Sequence, residues 1–340
     1  MNSFAERQSI AFYDTVVFPI YFGIYFSITL FSQVSVVLLV FLKTPSFFRD
    51  FRIFLINSSM LQIIMCSMIT FTQVRPVENE NSTGYLFSGH CKLFHKNVCF
   101  FTLDLFQLVF DASSFAIPVT VYYKYIKVTS INVREPSFVR VKLILVSAYF
   151  LSVLVGAIYL LSYRPGESLA VESETKELHS DLYDFANYAQ ITGYQNHFWS
   201  SLTSYLNMLS IYVPSIFSLI FIRRIQLKLK SLKHLFSEKT AVQAKKFDLA
   251  LTIQTFVPAI CVIPAYTLHL VVDSSYALSL PSHEKVLYLL LTLPTAVDAF
   301  IVIFTITPYQ KAFLSFFCCC NRSGPSSVIR VNSPKIISVC

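Results

Sequence analysis

Charge, glycine and tryptophan are what this chain is short of. Only 14% of its 340 residues are Asp, Glu, Lys or Arg, against about a quarter in soluble globular domains. A surface with that little charge is not built for water. Seven glycines and one tryptophan exclude collagen-like, linker-rich and glycine-rich phosphate-loop architectures. What is abundant is apolar: 54% of residues are hydrophobic, with 33 Phe and 19 Tyr, and mean hydropathy is +0.58. That content rules out disorder, and it is gathered into long runs.

A membrane-crossing helix needs about 20 mostly apolar residues. Seven such runs lie at about 16–42, 53–74, 98–123, 143–163, 198–222, 249–272 and 286–307. They are continuous rather than alternating, so helices are expected and a β-barrel is not. The reading is an all-α, seven-helix membrane bundle, with residues 1–15 before it and a tail at 308–340. Glu6, Arg7 and Asp14 precede the first run without a basic leader or cleavage pattern, so no removable signal is expected and span one inserts itself.

Basic residues mark the cytoplasmic side. In this arrangement 20 of the 27 Lys and Arg fall on the side of the tail, and seven on the side of the amino terminus. The amino terminus is therefore expected outside and the tail inside. The segment from Arg164 to His197 agrees, with six acids against two bases. The overall +8 charge is then a topology signal facing anionic lipid, and no nucleic-acid partner is expected. Asn81-Ser82-Thr83 is a glycosylation acceptor on the expected outer side. No internal repeat suggests a transporter.

Ionisable groups inside a membrane cost about 2.5–3.5 kcal/mol each, so each needs a role. Asp104 and Asp111 lie seven apart on span three, on nearly one face, and Asp298 lies in span seven. With no Lys or Arg expected inside a span, Asp104 is read as a ligand contact, and Asp111 with Asp298 as a central polar cluster. Tyr205, Tyr212 and Tyr266 are candidate aromatic cavity walls, chosen by span and depth. Pro258 and Pro264 interrupt span six and would form a hinge. Arg223, Arg224, Lys228 and Lys230 continue span five into the cytoplasm.

Cys91 and Cys99 could bridge only if the segment between them is not helical throughout. Cys318, Cys319 and Cys320 adjoin Phe316 and Phe317 just beyond span seven and read as a palmitoylation site anchoring a short helix. Adjacent cysteines without a two-residue gap or a nearby His do not suit zinc. Span seven has no Lys for a retinal Schiff base, the histidines are scattered, and the aspartates lack a Gly-x-Gly-Asp setting. No metal, cofactor or enzymatic centre is expected.

Three segments are similar to the nematode serpentine chemoreceptors of the Str superfamily, class delta above all. They are Lys43-Thr44-Pro45 through Asn57; Leu251 to Pro258 followed by Ile263-Pro264; and Pro294 to Phe300 with Thr307-Pro308-Tyr309-Gln310-Lys311. Ala299 and Gln310 stand where the family pattern has Pro and Arg. The rhodopsin-like acidic-Arg-aromatic triplet and Asn-Pro-x-x-Tyr signature are absent. The resemblance implies a G-protein-coupled receptor in the plasma membrane, of a sensory cilium, detecting an odorant or other small molecule. It places coupling at Arg223, Arg224, Lys228, Lys230, Pro308 and Tyr309. A ligand-gated channel of inverted topology and a transporter are the alternatives.

Overall fold

The computed structural model describes residues 8–44, 51–94, 96–129, 138–162, 164, 166–180, 185, 190–232, 238–273 and 281–318. The bundle consists of α1 (Phe18–Lys43), α2 (Phe51–Thr72), α3 (Lys96–Thr129), α4 (Phe138–Ser162), α6 (Phe198–Leu232), α7 (Glu238–Asp273) and α8 (Pro281–Thr305). A π-helical turn, Tyr13–Val17, leads into α1, and α9 (Thr307–Cys318) follows α8 after a break. Six helices among the described residues are long and apolar enough to cross a membrane, and α7 contributes the shorter apolar stretch Thr252–Leu268.

The helices are built inside out relative to a soluble bundle. On α1, Ile20, Ile24, Phe31 and Leu38 are exposed along one face, while Tyr25, Thr29, Ser32, Gln33 and Val36 are buried on the other. Apolar side chains suit the hydrocarbon, and the polar ones gather where other helices can bond them. α3 is the central element, packed against α2, α4 and α6, while α8 is flanked by α1 and α7.

One end of the bundle carries a cap that periodicity in the spans does not foreshadow. Strands β1 (Val74–Glu78), β2 (Ser82–Phe87) and β3 (Gln190–Gln195) form an antiparallel sheet in that order. Helix α5 (Ser168–His179) lies over it. Gln73 takes a left-handed conformation, φ 43°, which turns the end of α2 into β1. Gly84 pairs with Gly193 across the sheet. A Cβ on Gly193 would strike the Thr83 carbonyl and come within 2.9 Å of Val171 on α5. The paired glycines therefore let helix and sheet touch.

Side chains lock the cap. Arg75 of β1 donates two hydrogen bonds to Asp14, one of 3.0 Å to Oδ2 and a shorter one to Oδ1, and both side chains are only 6% exposed. The Glu174 carboxylate of α5 accepts from the Asn81 amide at 3.0 Å and from Ser82 Oγ at 2.5 Å. Cys91 is disulfide-bonded to Cys99 with Cα atoms 5.3 Å apart. A 3-10 turn, His90–Leu93, and extended backbone at Phe94 interrupt the helix between them, which is what makes closure possible.

Candidate functional site

Two cavities lie along the axis of the bundle and share Phe110 of α3 and Leu291 of α8 in their walls. The first, about 50 Å³, is at the strand end. Pro76, Tyr85 and Tyr194 bring all three strands over it, and Tyr159, Tyr266 and Tyr288 reach it from α4, α7 and α8. The tyrosines brace one another. Tyr85 Oη donates to Tyr194 Oη at 3.4 Å, and the Tyr159 ring meets Tyr194 edge-on with centroids 6.3 Å apart. Tyr266 stacks on Phe110 at 6.5 Å.

Gln107, Ser204 and Asn207 supply the polar part of this wall. Behind Gln107 lies Asp111, fully buried. Its Oδ1 accepts hydrogen bonds from Ser210 Oγ at 2.6 Å and Gln107 Nε2 at 3.3 Å. Its Oδ2, Asn207 Oδ1 and Asp104 Oδ1 are buried with no donor among the described residues.

The second cavity, about 130 Å³, opens towards the tail end. Asp298 stands in its wall with both oxygens engaged: Gln254 Nε2 donates to Oδ1 at 2.9 Å and Gln62 Nε2 to Oδ2 at 3.0 Å. Gln33 Nε2 donates to Gln62 Oε1 and, at 2.9 Å, to the Thr295 carbonyl. Lys124 Nζ donates to Gln254 Oε1 at 3.4 Å and lies 4.9 Å from the centroid of the Phe51 ring. One polar chain thus ties α1, α2, α3, α7 and α8 together.

Lys124 corrects the expectation that no basic side chain lies inside the bundle. It is 8% exposed and in electrostatic contact with Asp298. The reason is local: α3 remains helical to Thr129, so Lys124 is carried inward instead of leaving with a loop. The expected joining of Asp111 to Asp298 is likewise not seen. Asp111 turns to α6 and Asp298 to α2 and α7, so the two acids serve separate polar groups. Asp104 is buried but lies outside either lining.

Of the aromatic candidates, Tyr266 lines the smaller cavity. Tyr212 is half-buried and shares a 2.5 Å hydroxyl contact with Thr267, a tie between α6 and α7. Tyr205 is 63% exposed. Ser204 and Asn207 face the cavity from the same helix, and 100° per residue turns Tyr205 away from both. Pro258 lines the larger cavity, while Pro264 is exposed. Arg223, Arg224 and Lys230 are exposed, and Lys228 is half-buried.

Pro308 is exposed, whereas Tyr309 is buried with its hydroxyl 2.6 Å from Thr44 Oγ1, fixing α9 to the end of α1. Asn81 is exposed at the β1–β2 turn. Cys318 is the last residue of α9; Cys319 and Cys320 lie outside the described residues. Sequence reading passed over Gln33, Gln62, Gln107, Asn207 and Gln254. Their signal was an amide within an apolar run, which costs free energy unless it is bonded.

The described helices form a membrane-type bundle, six of them long and apolar enough to cross a membrane, with a cavity beneath the sheet. The chain belongs to the family described as "Serpentine type 7TM GPCR chemoreceptor Srd", which matches residues 18–315. It is 57% identical over 289 residues to serpentine receptor class delta-34 of Caenorhabditis elegans, covering 83% of this chain and 97% of the relative. Serpentine receptor class delta-51 of the same nematode is 27% identical over 296 residues, 85% of each chain. The chain is thus a multi-pass membrane protein of a chemoreceptor family, not of an enzyme family.

Proposed function

We propose that this receptor detects an external small molecule in the tyrosine-lined cavity and signals through a heterotrimeric G protein from the plasma membrane, in a sensory cilium as the family resemblance implies. In this reading the strand end is outside and the tail end cytoplasmic. Charge supports it, since 20 of the 27 basic residues belong to the tail side, and so does the exposed position of Asn81, the proposed glycosylation site, on the cap.

The observation that carries the reading is the stacking of two different cavities about Phe110 and Leu291. A ligand under the sheet would press on residues that also wall the polar chamber beneath. Pro258 lies in that chamber's wall, on the helix whose far end leads into the basic segment, and a proline-weakened helix is a suitable hinge. Arg223, Arg224, Lys228 and Lys230 with Pro308 would form the coupling face. Tyr309 would join it only if its Thr44 contact opened. Acylation of Cys318, Cys319 and Cys320 would hold α9 on the inner leaflet.

The test places an epitope at each terminus, stains intact and permeabilised cells, and follows second messenger with a promiscuous G-protein α subunit. An amino terminus stained on intact cells, a carboxyl terminus stained only after permeabilisation, and ligand-dependent messenger are expected. Both termini reversed would overturn the reading.

A further inference from the structure

We propose that the cavity at the strand end takes a small organic cation, a protonated short-chain amine, held by Asn207 and Asp111 and enclosed by tyrosine rings. The inference rests on the receptor reading above and names the chemistry of its ligand.

The argument is an inventory of hydrogen-bonding groups. Tyrosine and serine hydroxyls in the wall can donate or accept, so they do not discriminate. Asn207 does. It lines the cavity, is 8% exposed, and its Oδ1 has no donor. One helical turn on, Ser210 holds Asp111 by a single oxygen and leaves Oδ2 fully buried without a donor. Asp111 stands in electrostatic contact with Tyr266, which also lines the cavity.

A third buried oxygen, Asp104 Oδ1, lacks a donor on the same helix as Asp111. No Lys, Arg or His forms an ion pair with Asp104 or Asp111 among the described residues. Three acceptors without a donor among the described residues, two of them on carboxyl groups, are costly in a low-dielectric interior, and the one in the cavity wall, Asn207 Oδ1, is answered by a ligand that donates.

Charge and shape narrow the class. An anionic ligand would be brought near the Asp111 carboxyl group, which lies just behind the wall residue Gln107, with no ion-pairing cation among the described residues. A hydrocarbon would leave every orphan acceptor as it is. A cation satisfies the acceptors and is attracted to the faces of the surrounding tyrosines, as in aromatic cages. The free volume of about 50 Å³ corresponds to the space of about three to five water-sized probes. That matches a ligand of about four non-hydrogen atoms.

Isopropylammonium, isopropanol and acetate are matched in size and differ in charge. Thermal melting of the detergent-purified full chain is followed with each, against sodium chloride at equal ionic strength. The expected result is that isopropylammonium raises the melting temperature and the other two do not. Asp111→Asn should weaken the cation at least about tenfold, the worth of one charge-assisted bond, and Asn207→Asp should strengthen it.

An equal shift with isopropanol or acetate, no shift with any probe, or unchanged cation binding in both variants would overturn the proposal. The probe comparison and Asn207→Asp decide it even where Asp111→Asn does not fold. A chain that shows the expected epitope sidedness and messenger response, yet ignores isopropylammonium, keeps the receptor reading and loses this one.

Discussion

The two cavities differ in how far the protein completes the bonding of the acid beside each, although Thr255 Oγ1 in the tail-end wall is also left without a partner among the described residues. At the tail end Asp298 has a donor on each oxygen, and the donors are themselves tied to Gln33 and Lys124. At the strand end Asp111 and Asn207 each keep an oxygen without a donor. Both regions lie in the same low-dielectric bundle, where a polar atom left alone costs about 1–3 kcal/mol. A closed network fastens helices in one arrangement; an open one is completed by something that arrives. The tail-end cluster is therefore read as the fastening, and the strand-end cluster as the receptive part.

The roof over the receptive part should be the most sensitive to mutation. Arg75→Ala removes both hydrogen bonds that Arg75 donates to the buried Asp14, and removing one partner of a buried pair costs about 3–5 kcal/mol. Melting of the purified chain should fall accordingly, with the loss centred on the cap. The double variant Asp14→Asn with Arg75→Met should recover much of it, because no lone charge remains. Equal losses in the single and double variants would show that packing rather than the pair holds β1.

Next in size is the fastening. Gln62→Leu removes one donor from Asp298 and the acceptor of Gln33 while nearly keeping volume. A loss of about 1–3 kcal/mol is expected, with helix dissociation rather than cap opening seen by hydrogen exchange. The contrast between cavities would dissolve if Gln62→Leu and Asn207→Leu were equally damaging. Asn207→Leu removes an orphan acceptor, and should be neutral or stabilising for the empty chain.

How much of this was legible in the sequence follows from period and from reach. Most spans are written as long apolar runs, α7 giving only the shorter Thr252–Leu268, and the family could be read from short motifs such as Phe48 to Asn57 and Pro294 to Phe300. The sheet was not legible. Its strands are five and six residues long, and β3 joins from more than a hundred residues beyond β2. No local signal marks such a partner. Among site residues, the aspartates were found because charge is conspicuous in an apolar run. Their partners were missed, because which glutamine meets which acid depends on helix rotation, and Lys124 falls one residue past the apolar run that ends near residue 123.

Smaller effects probe the cap without opening it. Gly84→Ala would set a Cβ 2.7 Å from Thr175 Oγ1 of α5, so an overpacking cost of about 1–3 kcal/mol is expected, with α5 amides exchanging faster. His179, buried with its Nε2 3.2 Å from the Glu78 carbonyl, gives the cap a pH dependence. Burial holds its pKa below the ordinary 6.5, although the Glu78 carbonyl and the Glu174 carboxylate both oppose that shift. The folded cap thus favours neutral imidazole. Its contribution is fully present above about pH 6.5 and is lost as pH falls through the lowered folded value. Protection of α5 should decline on acidification, and His179→Gln should flatten that dependence.

Tyr205 supplies the smallest effect and the sharpest control. It sits on the same helix as Asn207, two residues away, yet is 63% exposed while Asn207 is 8% exposed. Tyr205→Leu should change melting by less than about 0.5 kcal/mol, as a surface substitution away from special features does. It should also leave the isopropylammonium response unaltered. A lost response in Tyr205→Leu with Asn207→Asp unaffected would mean that α6 is rotated by about half a turn relative to the arrangement described, since 100° per residue separates the two faces. The assignment of the receptive wall to Asn207 would then pass to the other side of that helix.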